Sequence, residues 1–212
     1  MILNLEPVVT PPNIAEDTIN NLRVFKSEVW SEGAFWELRI NGTRWHTWNT
    51  VDHSQMTELL SSTEIAYGKV IATGLGFLLR EVMLLANPKV TEVVVLENSK
   101  EVIEYQKRHN PEIMEKITVI HCDANEYVGE CDTLLVDHYE DLSVEKKELA
   151  VYGISSCCQN IKHDLCWAWA LEVLLTYQDY IDIRAKGYKF PYLTEEEWDY
   201  KVMRYRGYYY NP

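Results

Sequence analysis

This chain lacks any apolar run approaching the roughly 20 residues a helix needs to cross a bilayer. The longest such run, residues 165–171, stops at Glu172, so the expectation is a chain that does not span a membrane. Nor does Met1-Ile2-Leu3-Asn4-Leu5-Glu6 place a basic leader before an apolar stretch. No secretory signal is read there, and a cytoplasmic protein is expected. Cysteine is sparse: there are five, an odd number, with no C-x-x-C pair, and in a reducing compartment these are expected to be structural thiols. Positive charge is scarce too, with 20 Lys+Arg against 33 Asp+Glu and a formal net charge of -13. That balance repels a phosphate backbone and no local basic patch offsets it, so nucleic acid is not an expected partner. Internal repeats and low-complexity linkers are also missing.

What remains is a chain of 212 residues, 47% hydrophobic, with seven Trp and fourteen Tyr. This is enough apolar mass for one domain with a small appendage, and it excludes a mainly disordered chain. Residues 1–27, with Pro7, Pro11 and Pro12 among polar neighbours, are expected as an irregular arm. Two alternating aromatic-rich runs, 35–40 and 43–48, flank Asn41-Gly42, the dipeptide that best suits a type I′ turn, and predict a β-hairpin. Asn41-Gly42-Thr43 also has the form of a glycosylation sequon, but without a secretory route turn chemistry explains it more simply.

From residue 68 short apolar runs alternate with amphipathic stretches, the pattern of parallel strands joined by crossover helices. Strands are expected at 69–73, 92–96, 117–122, 133–136 and 165–171. Helices are expected at 77–86, from Ser99 as N-cap to Asn110-Pro111, at 143–160, and from Thr194-Glu195-Glu196-Glu197, which has the form of a capping box. The fold class is thus α/β: a doubly wound, mostly parallel sheet behind a small N-terminal hairpin. Residues 1–67 form the N-terminal element and 68–212 the main domain. The tail, Tyr208-Tyr209-Tyr210, is expected to pack on the body.

Four strand ends carry chemistry-bearing residues: Thr73-Gly74-Leu75-Gly76, Glu97-Asn98, Asp123-Ala124 and Asp137. Carboxyl ends of strands are where open α/β sheets bind ligands. Glycines at the first position let a ligand approach the backbone, with a helix N-terminus behind them. Glu97 sits where an acid can accept ribose hydroxyls, and Asp123 where one can accept an adenine amino group. A dinucleotide is disfavoured, because the third glycine of G-x-G-x-x-G is Leu79. Asp137 can take a proton or anchor a cation, Glu140 adds charge nearby, and His138 ranks below Asp137 as a base. His121, Cys122, Cys131 and His138 match no zinc spacing, no cysteine sits in a nucleophile turn, and no metal is expected.

Leu38-Arg39-Ile40-Asn41-Gly42, Asp52, Gly74-Leu75-Gly76 with Leu79-Arg80-Glu81-Val82, Val95-Leu96-Glu97, Cys122-Asp123-Ala124 and Asp137 resemble one family over about residues 35–141. It is the spermidine synthase branch of the class I S-adenosylmethionine-dependent methyltransferase superfamily. The resemblance implies a Rossmann-like domain after a small β element. It also implies that Gly74, Gly76, Glu97 and Asp123, with Thr73, Asn98 and Ala124 beside them, hold S-adenosylmethionine or its decarboxylated form. The departures fall mainly on the acceptor side. Leu75 and Phe77-Leu78 replace a richer glycine loop, Trp45 stands at a glutamine position, and Asp52-His53-Ser54-Gln55-Met56 replaces an Asp-Glu-x-x-Tyr pattern. Asp137-His138-Tyr139-Glu140 keeps acids at its first and fourth positions. The expected function is therefore an S-adenosylmethionine-dependent transferase, a methyltransferase before an aminopropyltransferase, with a small cationic acceptor bound by Asp137 and Glu140. A non-catalytic relative that binds a nucleoside or a protein partner is the third reading, and a homodimer is left open.

Overall fold

The computed structural model describes residues 12–27, 35–48, 53–138, 147–169, 171, 175–189, 191–200 and 202. Its centre is a five-stranded sheet of β5 (Gly68–Thr73), β6 (Val90–Glu97), β7 (Thr118–His121), β9 (Thr133–Val136) and β11 (Leu165–Ala168). The order is β11-β9-β5-β6-β7 and every neighbouring pair is parallel. The chain builds outward from β5 to β7 and then reverses to β9 and β11, which is the Rossmann-like, doubly wound arrangement.

The inner strands β5, β6 and β9 carry apolar residues on both faces because both faces are covered. Val70, Ala72, Val93, Val95 and Leu135 face one core, while Ile71, Val94, Leu96, Leu134 and Val136 face the other. Crossover helices α2 (Leu79–Ala86) and α3 (Lys100–His109) serve the first core, and α5 (Lys147–Asn160) serves the second. A one-turn helix, α4 (Pro111–Met114), follows α3. The N-cap at Ser99 forms as expected, its hydroxyl accepting the Val102 N–H at 3.2 Å.

The N-terminal part is larger than the predicted hairpin. β1 (Asp17–Ile19) and β2 (Leu22–Ser27) pair antiparallel and continue into β3 (Phe35–Ile40) and β4 (Thr43–Trp48), making a four-stranded sheet. Asn41 and Gly42 have φ of 52° and 79°, as a type I′ turn requires. Residues 17–27 are therefore strands rather than arm. Ile19, Leu22, Val24 and Leu38 are buried in the same core as β5 and β6, and that burial drives the pairing. Asn13 is fixed by the Asn110 side chain, which accepts from its N–H at 2.6 Å and donates to its carbonyl at 3.0 Å. Residues 1–11, which include Pro7 and Pro11, lie outside the described residues.

Other differences have local causes. The helix expected from residue 77 begins at Leu79, because Leu78 is left-handed (φ 63°) and its N–H closes a turn on the Leu75 carbonyl. The strand expected to reach 171 ends at Ala168, where its partner β9 ends at Val136. Helices α1 (His53–Ile65) and α6 (Tyr177–Ala185) were not expected. The Thr194 capping box forms and opens α7, residues 195–200. Residues 143–146 of the third expected helix, Glu172 and Tyr208-Tyr209-Tyr210 lie outside the described residues. Among the described residues no helix is long and apolar enough to cross a membrane.

Candidate active site

At the carboxyl ends of β5, β6, β7 and β9, where the winding reverses, lies a cavity of about 480 Å³. Gly74, Gly76, Glu97, Asn98, Asp123, Ala124 and Asp137 all line it. Thr73 does not. It is fully buried beneath the wall, and its Oγ1 accepts the Asp137 N–H at 2.7 Å. Glu140 lies outside the described residues.

Gly74 is required on two grounds. Its φ is 78°, and a Cβ there would stand 2.6 Å from the Asp137 carbonyl oxygen. The turn after β5 is thus pressed onto the segment after β9. Arg80, only 6% exposed, reaches back from α2 to hold the turn: its Nη2 donates to the Thr73 carbonyl at 3.1 Å and to the Gly74 carbonyl at 2.6 Å. The same guanidinium pairs with buried Glu81 at 3.1 Å and reaches Asp137 Oδ2 at 3.5 Å. From α3, the buried Gln106 side chain donates to the Gly76 carbonyl.

Glu97 closes the end of β6. Its Oε2 accepts from the Leu75 N–H at 2.8 Å and its Oε1 from the Ser99 N–H at 2.7 Å, with the Asn98 N–H a third backbone donor. A carboxylate offers about four lone-pair directions, so one is left for a ligand hydroxyl. Burial raises the pKa of Glu97 and the three backbone donors oppose it. Burial likewise raises Asp137 and Glu81 against the attraction of Arg80. Asp137 keeps a 34% exposed side chain, so its carboxyl is paired from behind and open in front. Asp123 is exposed, and its Oδ1 accepts the Asn125 N–H at 2.8 Å.

Two histidines, His138 and His46, lie in the wall. His138 Nδ1 lies 2.9 Å from Thr73 Oγ1 and Nε2 lies 3.2 Å from Asn125 Oδ1. Burial lowers its pKa, and for the neutral ring Nε2 donates to Asn125 while Nδ1 accepts the Thr73 hydroxyl. Hydrogen bonds at both ring nitrogens hold His138 in the wall. His46, which the sequence reading treated only as part of the hairpin, packs edge-on against Phe77 with ring centroids 5.1 Å apart. Burial first, and then Arg80, lower its pKa to about 4, so it adds no positive charge to the cavity. Ile40, Trp45, Leu149 and Tyr152 complete an apolar side. Arg80 and Gln106 were missed as site residues. For Arg80 the available signal was its place in the Leu79-Arg80-Glu81-Val82 stretch that follows the glycine turn.

Fold and site together define a Rossmann-like α/β protein with an acid-rich crevice at its topological switch point. No protein-family model matches the chain, and no curated protein sequence does. Among solved structures it is similar to spermidine synthase from Thermotoga maritima, at 16% identity and a TM-score of 0.44, covering 73% of this chain and 55% of that one. A spermidine synthase in complex with the transition state analogue AdoDATO gives 15% identity, a TM-score of 0.47, and coverage of 73% and 56%. TrmN from Thermus thermophilus gives 14%, 0.39, and coverage of 51% and 34%. The match thus spans little more than half the length of either spermidine synthase. At these values the likeness is one of chain path and assigns no activity.

Proposed function

We propose that this chain is an S-adenosylmethionine-dependent transferase acting on a small acceptor. One observation carries the reading: the glycine turn, Glu97, Asp123 and Asp137 end adjacent strands around one cavity, and four carboxylates with a single guanidinium line it. Such a wall favours a cation. A sulfonium nucleoside is a cation that also carries ribose hydroxyls and an adenine amino group, and the donor set fits it. Glu97 has a lone pair for a hydroxyl, Asp123 can accept from the amino group, and Ala124 and Val102 offer small apolar surfaces to a base. Gly74 and Gly76 admit close approach, with Asn98 beside Glu97.

When bound, the cofactor supplies an electrophilic carbon next to sulfur. The chain supplies the rest. Asp137, held by Arg80, either takes the acceptor's proton or anchors a cationic acceptor, and Glu140 is assigned to the same acceptor side. Trp45 stands in this wall where the resembled family has a glutamine, so a polar partner for a diamine is missing at that position, which favours methyl transfer.

Aminopropyl transfer is the second reading, favoured by a specific feature. Intact S-adenosylmethionine brings a carboxylate, and the described lining contains only one cation, Arg80, already engaged by Glu81, Asp137 and two carbonyls. Under either reading the partner is a small molecule, and a cytoplasmic location remains part of the proposal. Calorimetric titration with S-adenosylmethionine, its decarboxylated form and methylthioadenosine tests it. Binding of at least one, weakened in Glu97→Ala, is expected. If the folded protein binds none of the three, the proposal fails.

A further inference from the structure

Away from the cavity, α5 ends at Asn160, the short strand β10 (Ile161–Lys162) pairs with β8 (Gly129–Glu130), and the chain turns into β11. This turn brings Cys158, His163 and Cys166 together. One ligand atom from each, two Sγ and a ring nitrogen, lies within 4.8 Å of the others, and all three residues are half-buried. The two sulfurs are 3.5 Å apart. Thiolates about 2.3 Å from a tetrahedral zinc ion stand about 3.8 Å apart, so the pair is within a few tenths of an ångström of ligand spacing.

The histidine is prepared in the manner of a metal ligand. Its Nδ1 lies 2.7 Å from the Ile161 carbonyl oxygen, to which it donates. That bond fixes the tautomer and leaves the Nε2 lone pair for coordination, the carbonyl-to-histidine support common behind metal-bound imidazoles. Two thiols and an imidazole are a soft to borderline donor set, suited to zinc and unsuited to magnesium or calcium.

We propose that Cys158, His163 and Cys166 form a binding site for a thiophilic divalent cation of the zinc class. Each thiol gives up its proton to solvent as its sulfur coordinates, and the fourth position is left to water or a small ligand. None of the three residues lines the candidate active site. The ion would join the end of α5 to the start of β11, an edge strand of the central sheet. The C-x4-H-x2-C spacing matches none of the zinc patterns weighed in the sequence, and the residues meet across the turn through β10.

Cobalt(II) is the probe, titrated anaerobically into the reduced protein. Expected are saturation at one ion per chain and sulfur-to-cobalt charge-transfer bands with intense tetrahedral d–d absorption. Loss of a direct ligand in Cys158→Ser, Cys166→Ser or His163→Gln should cost at least the about 10- to 100-fold that loss of an outer-shell partner costs. His121→Ala, at an exposed strand-end histidine, should change nothing. If the serine variants do not fold by circular dichroism, His163→Gln decides alone, since it leaves both thiols in place. No charge-transfer band in reduced wild-type protein, an unchanged affinity in His163→Gln, or a Cys158–Cys166 disulfide that survives reductant would each overturn the proposal.

Discussion

Gly74 and Asp137, at the ends of two neighbouring strands, touch: the space where a side chain on Gly74 would begin is occupied by the Asp137 carbonyl oxygen at 2.6 Å. Gly74→Ala therefore has to displace the segment that carries Asp137 and also hold a left-handed backbone. A loss of about 1–3 kcal/mol in urea unfolding is expected, the usual scale for such backbone strain. An alanine variant as stable as wild type would show that the two segments are not in contact.

Glu97→Ala removes the acid at the end of β6. In protein that remains folded, methylthioadenosine binding should weaken by about 1.5–3 kcal/mol, the range for hydrogen bonds to a charged group. Calorimetry reads this directly, and unchanged affinity would place the ribose elsewhere.

Asp137→Asn separates the two proposed roles of that carboxyl. As a base, its loss lowers turnover about 10²–10⁴-fold with cofactor affinity kept. As an anchor for a cationic acceptor, its loss raises KM while kcat holds. Wild-type kinetics on the true acceptor would leave Asp137 with neither role.

Arg80→Met strands Glu81, which is 1% exposed, and leaves the Thr73 and Gly74 carbonyls without their donor. Removing one partner of a buried ion pair costs about 3–5 kcal/mol. Thermal and urea unfolding should show this, and Arg80→Met with Glu81→Leu should recover part of it. No recovery in the double variant would mean that the lost carbonyl contacts, and not the stranded charge, set the cost.

His46 makes the fold sensitive to acid. Its pKa is about 4 in the folded chain, against 6.5 as its ordinary value. Between those values the unfolded state binds the extra proton, so stability falls as pH falls through the window, by up to about 1.4 kcal/mol per pH unit. Glu97, Glu81 and Asp137 are raised and act with the opposite sign. The comparison is therefore wild type against His46→Leu, whose unfolding midpoints should lose this part of the slope between pH 6.5 and 4. Parallel curves would mean that His46 is not buried.

The central sheet was legible because strands covered on both faces read as unbroken apolar runs, and Asn41-Gly42 and Ser99 mark their local structures by chemistry alone. β1 and β2 were not read, because they are short, with Ile19, Leu22 and Val24 their only buried apolar residues, and the prolines before them read as loop. α1 has few charges and weak apolar periodicity. α6 did carry a readable signal: Thr176 and Asp179 form a capping box with bonds of 3.1 and 3.2 Å. The strand-end acids were found because their positions follow from topology. Arg80 as a clamp and His46 in the wall were not, because they rest on contacts with Asp137 and Phe77, far along the chain; the Cys158–His163–Cys166 group is local, but its spacing matches none of the zinc patterns weighed.

Leu78 holds a left-handed backbone, φ 63°, although it is fully buried and is not glycine. That conformation costs an L-residue about 1–2 kcal/mol, so local preference does not shape the turn. Its surroundings do: Arg80 and Gln106 grip its carbonyls, and Phe77 and Leu78 are sunk in the core. A turn imposed in this way is ordered before any ligand arrives. Little of a ligand's interaction free energy is then spent on ordering it, and the free and bound backbones should nearly superimpose. Discrimination at this crevice would then rest on the fit of the ligand to a fixed frame rather than on closure of the frame around it.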